Sequence, residues 1–272
     1  MTRLSGKRLA RACGTHAGIW LLIAFNYWQA MVRREQLHPL SIVIIGHVIL
    51  ASFVSAWMHV MFTPILEAPK SWILMKADTS ENAAHKSSSA AIPPRAYDFH
   101  GKIILGFDHY CGWLGVPIGL HNRKFFVQLL LYASALCTLG GIVATMDYRL
   151  SVTIGSEADD TAKSLMIFFS PGMLACKILT GVGEVAPLSI HAYLAIVNSV
   201  VGAVLFLFGM YHVRLLLTNT TTIDPKTTRW DVGRLANWCQ VFGEHPVYWV
   251  LPLQGKGPAV DGLHYPEKIK DE

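Results

Sequence analysis

Blocks of apolar residues too long for an ordinary soluble core constrain this chain more than any other feature. One of them, 40–62, reads LSIVIIGHVILASFVSAWMHVMF. Crossing the roughly 30 Å of bilayer hydrocarbon takes about 20 such residues in a helix. In lipid every backbone amide must find its partner within the protein, which makes helix the natural form of such a block. Similar blocks occupy 15–32 (THAGIWLLIAFNYWQAMV), the stretch after Arg123 and Lys124 to about Thr145, and 188–217. Together they predict an all-α polytopic membrane protein with four transmembrane helices. Composition agrees, with 52% hydrophobic and 15% charged residues against about 25% charge in a soluble domain. The first block is too long for a cleaved signal and lacks its small-residue site, so it is expected to be retained. The apolar piece 164–179 is broken by Ser170, Pro171 and Gly172 and is expected to be interfacial or re-entrant.

Charge orients the spans. The net charge is +5, but the basic residues flank apolar blocks, as topology requires, and form no stripe that would suit nucleic acid. The amino-terminal tail carries Arg3, Lys7, Arg8 and Arg11, and the 63–124 loop is also basic, whereas 147–163 holds most of its charge as acid. Both termini and the 63–124 loop are therefore expected in the cytosol, although Arg33 and Arg34 run against that orientation. Four regions follow. They are 1–63 (cytosolic amino terminus and two spans), 64–124 (a small cytosolic loop domain between spans two and three), 125–217 (two further spans with a lumenal loop) and 218–272 (a cytosolic tail). Within the loop domain, 76–91 is polar and Ser/Ala-rich, a composition that favours disorder. AYDFHGKIILGF, after Arg95, suits paired strands, and RLANWCQVF in the tail suits a helix lying in the membrane interface. The spans lack the buried charges of a channel or transporter.

Chemistry concentrates in Asp108-His109-Tyr110-Cys111. A cysteine attacks as thiolate and needs a neighbouring base. Residues two apart on an extended chain point to one side, so His109 can serve Cys111, and Asp108 can fix the imidazole. The five cysteines, Cys13, Cys111, Cys137, Cys176 and Cys239, include no C-x-x-C pair. That argues against a disulfide framework or a zinc knuckle.

Three separated motifs resemble the DHHC-type protein S-acyltransferases (palmitoyltransferases). PPR at 93–95 followed by FDHYC-x-W and by Gly119, Asn122 and Phe126 is similar to the family's core. NTTTID at 219–224 resembles its Thr-Thr-x-Glu motif, with Asp224 in place of Glu. Asp231, Gly233, Asn237, Gln240, Phe242 and Gly243 resemble its carboxy-terminal motif. The resemblance implies an enzyme that passes a long-chain fatty acyl group from acyl-CoA through a Cys111 acyl-enzyme to protein cysteines near the cytosolic membrane face. Cys111, His109 and Asp108 would be catalytic, and Thr221, Thr222, Asp224 and Asn237 supporting. Thr222 would orient Asp108, and Asn237 would order the tail against the loop. Trp113, Asn122, Arg123, Lys124 and Arg95 are expected on the substrate side, with Arg95, Lys102, Arg123, Lys124 and Arg234 as candidate CoA-phosphate partners.

Members of the family carry structural zinc in this loop. Here the cysteine pairs are missing, Tyr110 stands at a zinc-binding His position and Pro117 at a cysteine position. The loop is accordingly expected to hold no metal and to use acyl-CoA without a further cofactor. Membrane lipid, protein substrates and room for an accessory subunit complete the expected partners. The endoplasmic reticulum or Golgi is the expected location. The competing expectation is a catalytically inactive scaffold or regulatory subunit of an active acyltransferase.

Overall fold

The computed structural model describes residues 16–18, 20, 21, 23, 24, 27, 39–72, 92–154, 187–255 and 257–268. The expected first span, the polar 76–91 stretch and the 164–179 segment lie largely or wholly outside the described residues. The fold is mostly helical, and among the described residues three helices are long and apolar enough to cross a membrane: Leu40–Phe62, Arg123–Arg149 and His191–Leu217. They lie within α1 (Leu40–Phe62), α2 (Arg123–Ile154) and α3 (Pro187–Leu217). Leu40, Ile44 and Val48 of α1 and Val200, Val204 and Leu207 of α3 stay exposed in the protein alone. Such apolar rows need lipid to cover them.

The block after Lys124 ends near Thr145 by apolarity, yet α2 runs on to Ile154. At 1.5 Å per residue its 32 residues reach about 48 Å, well beyond the hydrocarbon. Hydropathy marks where lipid stops, not where hydrogen bonding stops. Pro187 opens α3, at the helix position where a missing amide proton costs nothing.

The chain divides into two compact units, one comprising Met1–His16, Ala51–Leu130 and Phe208–Glu272, the other Ala17–Leu50 and Leu131–Leu207. In the second unit small residues bring α2 and α3 together. The Ser134 hydroxyl donates to the Gly202 carbonyl at 2.9 Å, and a Cβ on Gly202 would lie 3.2 Å from that of Cys137.

In the first unit two hairpins carry the chemistry. Strands β1 (Tyr97–Phe99) and β2 (Lys102–Ile104) pair antiparallel, with Asp98 opposite Ile103. Their turn places His100 and Gly101 at positive φ, and the Gly101 amide donates to the Asp98 carboxylate. Strands β3 (His109–Cys111) and β4 (Val116–Ile118) pair with Tyr110 opposite Pro117. The incoming 66–68 segment borders β2, its Ala68 amide donating to Ile103 and its Leu66 carbonyl accepting from Leu105.

Packing unites the hairpins. Tyr97 stacks on Phe107, and Phe99 on both Phe107 and Tyr110. The tail adds α4 (Arg234–Phe242) and α5 (Val247–Val250), then a strap whose Gly262, at positive φ, presses on Leu105 and Leu120. The helix expected at RLANWCQVF has those bounds. It buries Asn237, Gln240, Val241 and Phe242 and exposes Leu235.

Candidate functional site

Strand geometry puts His109 and Cys111 on one side of β3. Asp108 immediately precedes the strand and is fully buried. Its backbone amide donates to the Ile118 carbonyl at 2.8 Å, which anchors it to the end of β4. One carboxylate oxygen, Oδ2, lies 2.7 Å from His109 Nδ1. The other, Oδ1, accepts the Thr222 amide at 3.1 Å and meets the Arg123 guanidinium at 3.0 Å. The Thr222 hydroxyl also donates to the Asp108 carbonyl.

These contacts set the charges. Burial alone would raise the Asp108 carboxyl, but Arg123 and then His109 hold it well below the usual carboxylate range. Burial would likewise lower the His109 imidazole, yet its bonds to Asp108 and Cys111 push it up to about 9. At neutral pH the site therefore contains a carboxylate and an imidazolium beside a cysteine.

Sequence reasoning missed three participants. His212 on α3 is completely buried, with Nδ1 3.7 Å from Asp108 Oδ2. Neither of its ring nitrogens has a hydrogen-bond partner among the described residues. Phe126 and Phe208 pack against it edge-on. An ionisable residue within an apolar span was its available signal. Asn219, at positive φ after α3, accepts from Arg95 and donates to the Trp230 carbonyl and to Gln240. Tyr265 in the strap lies under the Arg95 guanidinium, 4.8 Å from its ring centre.

The residues expected on the substrate side are placed differently. Trp113 is exposed. Asn122 is buried and locks a turn, its oxygen accepting the Gly119 amide and its nitrogen donating to the Pro117 carbonyl. Arg123 is 2% exposed and donates to the Thr220 carbonyl as well as to Asp108. A guanidinium so committed is closed to a CoA phosphate. Lys124 is also buried, and donates to the Leu253 carbonyl at 2.7 Å. Arg95 is half-buried and bonds Asn219, Lys102 pairs with Glu67, and Arg234 is exposed. Arg123, Lys124 and Arg95 hold the fold together, which their place beside apolar blocks did not reveal.

Among the supporting residues, Thr222 contacts Asp108 as described, and Thr221 accepts the Asp224 amide in the turn that presents Thr222. Asn237 donates to the Leu217 carbonyl and to Asp231 and accepts the Val232 amide. It thus ties the tail to the end of α3. The link from α4 to the catalytic loop runs instead through Gln240, Asn219 and Arg95.

Tyr110 and Pro117, which stand where the family has metal ligands, face each other across β3 and β4 but offer no ligand of that kind. Neither side chain is a thiolate, an imidazole or a carboxylate, the groups that structural zinc takes. The cluster among the described residues that could hold a metal is Asp108, His109 and His212, where the Arg123 charge opposes a further cation.

Comparison with known proteins gives the family. Residues 78–228 match the family described as DHHC palmitoyltransferase. The chain is similar to "Probable protein S-acyltransferase 13" of Arabidopsis thaliana, 26% identical over 286 residues that cover 93% of this chain and 87% of the relative. It is also similar to "Palmitoyltransferase PFA3" of Candida albicans, 28% identical, with 56% of this chain and 42% of the relative covered. With "Palmitoyltransferase ZDHHC15" of Rattus norvegicus it shares 26% identity over 62% of this chain and 45% of the relative. The family match spans more than half of the 272 residues and contains Asp108 and the whole of β3, and this chain belongs to the DHHC palmitoyltransferase family.

Proposed function

We propose that this integral membrane S-acyltransferase moves a long-chain fatty acyl group from acyl-CoA to protein cysteines through a thioester on Cys111. The observation that carries the reading is the aligned set of buried Asp108, partly exposed His109 and buried Cys111. Because His109 Nδ1 is engaged by Asp108, Nε2 serves the sulfur. With the imidazole holding the thiol proton, the Cys111 thiolate attacks the thioester carbonyl. The carbon–sulfur bond to CoA breaks, and His109 Nε2 protonates the departing CoA thiolate. An incoming protein cysteine then gives its proton to Nε2 and attacks the acyl-enzyme, releasing Cys111 as thiolate. One thioester replaces another, so the exchange needs no external energy source.

His212, Arg123 and Thr222 act as positioning residues for Asp108 in this scheme. Trp113, exposed two residues from the sulfur, is suited to guide an acyl chain toward it. Four spans including 15–32, termini and catalytic loop in the cytosol, and residence in the endoplasmic reticulum or Golgi complete the proposal. Distribution of basic residues around the apolar blocks supports that orientation.

Incubation with a clickable palmitoyl-CoA should label the wild-type protein, and neutral hydroxylamine should remove the label. Cys111→Ala should reduce labelling to background. A hydroxylamine-sensitive label that persists in Cys111→Ala would sink the acyl-enzyme and favour the inactive-scaffold alternative.

The hairpins are proposed to hold without zinc, since aromatic stacking of Phe99 on Tyr110 and of Tyr97 on Phe107 brings together what cysteine ligands would otherwise join. Pairs of this kind contribute about 0.5–1.5 kcal/mol each beyond their buried area. Purified protein is expected to contain well under one equivalent of zinc, with chelator leaving its melting temperature unchanged. Stoichiometric zinc by elemental analysis would contradict this.

A further inference from the structure

One stretch of the tail closes its backbone as a membrane segment must, although it lies outside the spans. From Pro246 to Gly255 the chain carries no charged residue, and Val247, Val250, Leu251 and Leu253 are all exposed. α5 is four residues long, too short for its last carbonyls to find partners within the helix. On a tail facing water those carbonyls would bond water. Here protein donors meet them. The Val247 carbonyl accepts the Leu251 amide at 2.8 Å. The Gln128 side-chain nitrogen lies 3.1 to 3.3 Å from the carbonyls of Tyr248, Trp249, Val250 and Leu251, and its two protons are shared among them. The Ser55 hydroxyl donates to the Pro252 carbonyl at 3.0 Å, and Lys124 Nζ to the Leu253 carbonyl at 2.7 Å. Every carbonyl from Val247 to Leu253 thus has a donor from the protein.

The side-chain donors come from the spans. Ser55 stands seven residues before the end of α1, and Gln128 five residues after the start of α2. At roughly 1.5 Å per residue they lie about 10 Å and 8 Å inside those helix ends. A segment bonded to both is held level with the apolar parts of the two helices, not with the water beyond them. Met58 and Phe62, between Ser55 and the end of α1, are exposed and apolar as well. Lys124 Nζ also lies over the Tyr248 ring, 5.4 Å from its centre, which seats α5 against α2.

An apolar exterior over closed carbonyls is what hydrocarbon demands. A protein partner could have bonded those carbonyls itself, and a charged one finds nothing to pair with between Pro246 and Gly255. We propose that residues 247–253 are a lipid anchor, seated in the leaflet on the side of the catalytic hairpins. Val247, Val250, Leu251 and Leu253 then lie among lipid acyl chains, with Ser55, Lys124 and Gln128 at their back. Lys124 directly follows Arg123, which holds Asp108, so the anchor adjoins the machinery it steadies. It rests on the fold alone, and its test is independent of the acyl-enzyme.

The experiment places a photoreactive diazirine amino acid in the full chain at Val250, at Leu253 or at His264. His264 is exposed in the strap and serves as the water-facing control. Each protein is reconstituted in vesicles of dioleoylphosphatidylcholine and irradiated, and its adducts are identified by mass spectrometry. Burying one apolar side chain in hydrocarbon favours that state about tenfold or more, and lipid adducts at Val250 and Leu253 should exceed those at His264 by about that factor. Two exposed positions are probed so that poor folding of one variant leaves the other. Lipid adducts no more abundant at Val250 and Leu253 than at His264 would overturn the anchor. Adducts at both positions that join two protein chains in place of lipid would overturn it too.

Discussion

Replacing Asp108 by Asn is expected to lower the rate of Cys111 acylation by about 10³- to 10⁴-fold, the scale seen when a buried carboxylate behind a catalytic imidazole is neutralised. The side chain keeps its size, so the loss would come from charge and tautomer. His109 is held up to about 9 by Asp108 and Cys111 against its burial. A folded value above the ordinary 6.5 means that the stabilisation is fully present below about pH 6.5. It is lost as pH rises through about 9, and with it the proton destined for the CoA thiolate. Wild-type single-turnover acylation should therefore decline through that range. In Asp108→Asn the alkaline limb should move to lower pH, because the carboxylate that holds the imidazolium is gone. An unshifted limb in the variant would mean that Asp108 does not govern His109.

Arg123→Met should produce the largest loss of stability. The guanidinium is 2% exposed and faces a fully buried carboxylate. Stranding one member of a buried pair costs about 3–5 kcal/mol, which for a chain of this size is a fall in melting temperature of roughly 10 °C. The Thr220 carbonyl would lose a donor as well. The double variant Asp108→Asn/Arg123→Met removes both charges and should recover much of that stability while remaining inactive. A double variant less stable than Arg123→Met would show that the pair is not what stabilises this corner. Lysine is a poor rescuer here, since a point charge cannot reach the carboxylate and the Thr220 carbonyl as a planar fork does.

The sequence was most legible where one local pattern governs the outcome. The block at 40–62 became a helix with those bounds, because an uninterrupted apolar run leaves no competing way to satisfy its backbone. β3 was readable from the need to place His109 beside Cys111, and α4 from its periodic apolar face. Arg123 was misread because its partner lies fifteen positions earlier and reaches it only after β3 and β4 fold back. The same character, basic and next to an apolar block, describes a membrane anchor and a buried ion-pair partner equally well. His212 escaped for a related reason. Ten residues before Thr222, within α3, it meets Asp108 only through the tertiary fold. The strap lies beyond every recognisable motif, and Gly262 and Tyr265 acquire meaning only from Leu105, Leu120 and Arg95 on the far side of the chain.

Asp108 is gripped by Arg123, the first residue of α2, and by Thr222, just beyond the last residue of α3, with His212 one face of α3 away. The reacting centre is therefore suspended from the ends of two apolar helices. Such helices answer a bilayer thinner or thicker than their hydrophobic length by changing tilt. Tilt at either end would displace the guanidinium or the threonine amide relative to the carboxylate between them. The thickness of the host membrane thereby becomes a mechanical input to the chemistry, measurable as a dependence of acylation rate on lipid chain length in reconstituted vesicles.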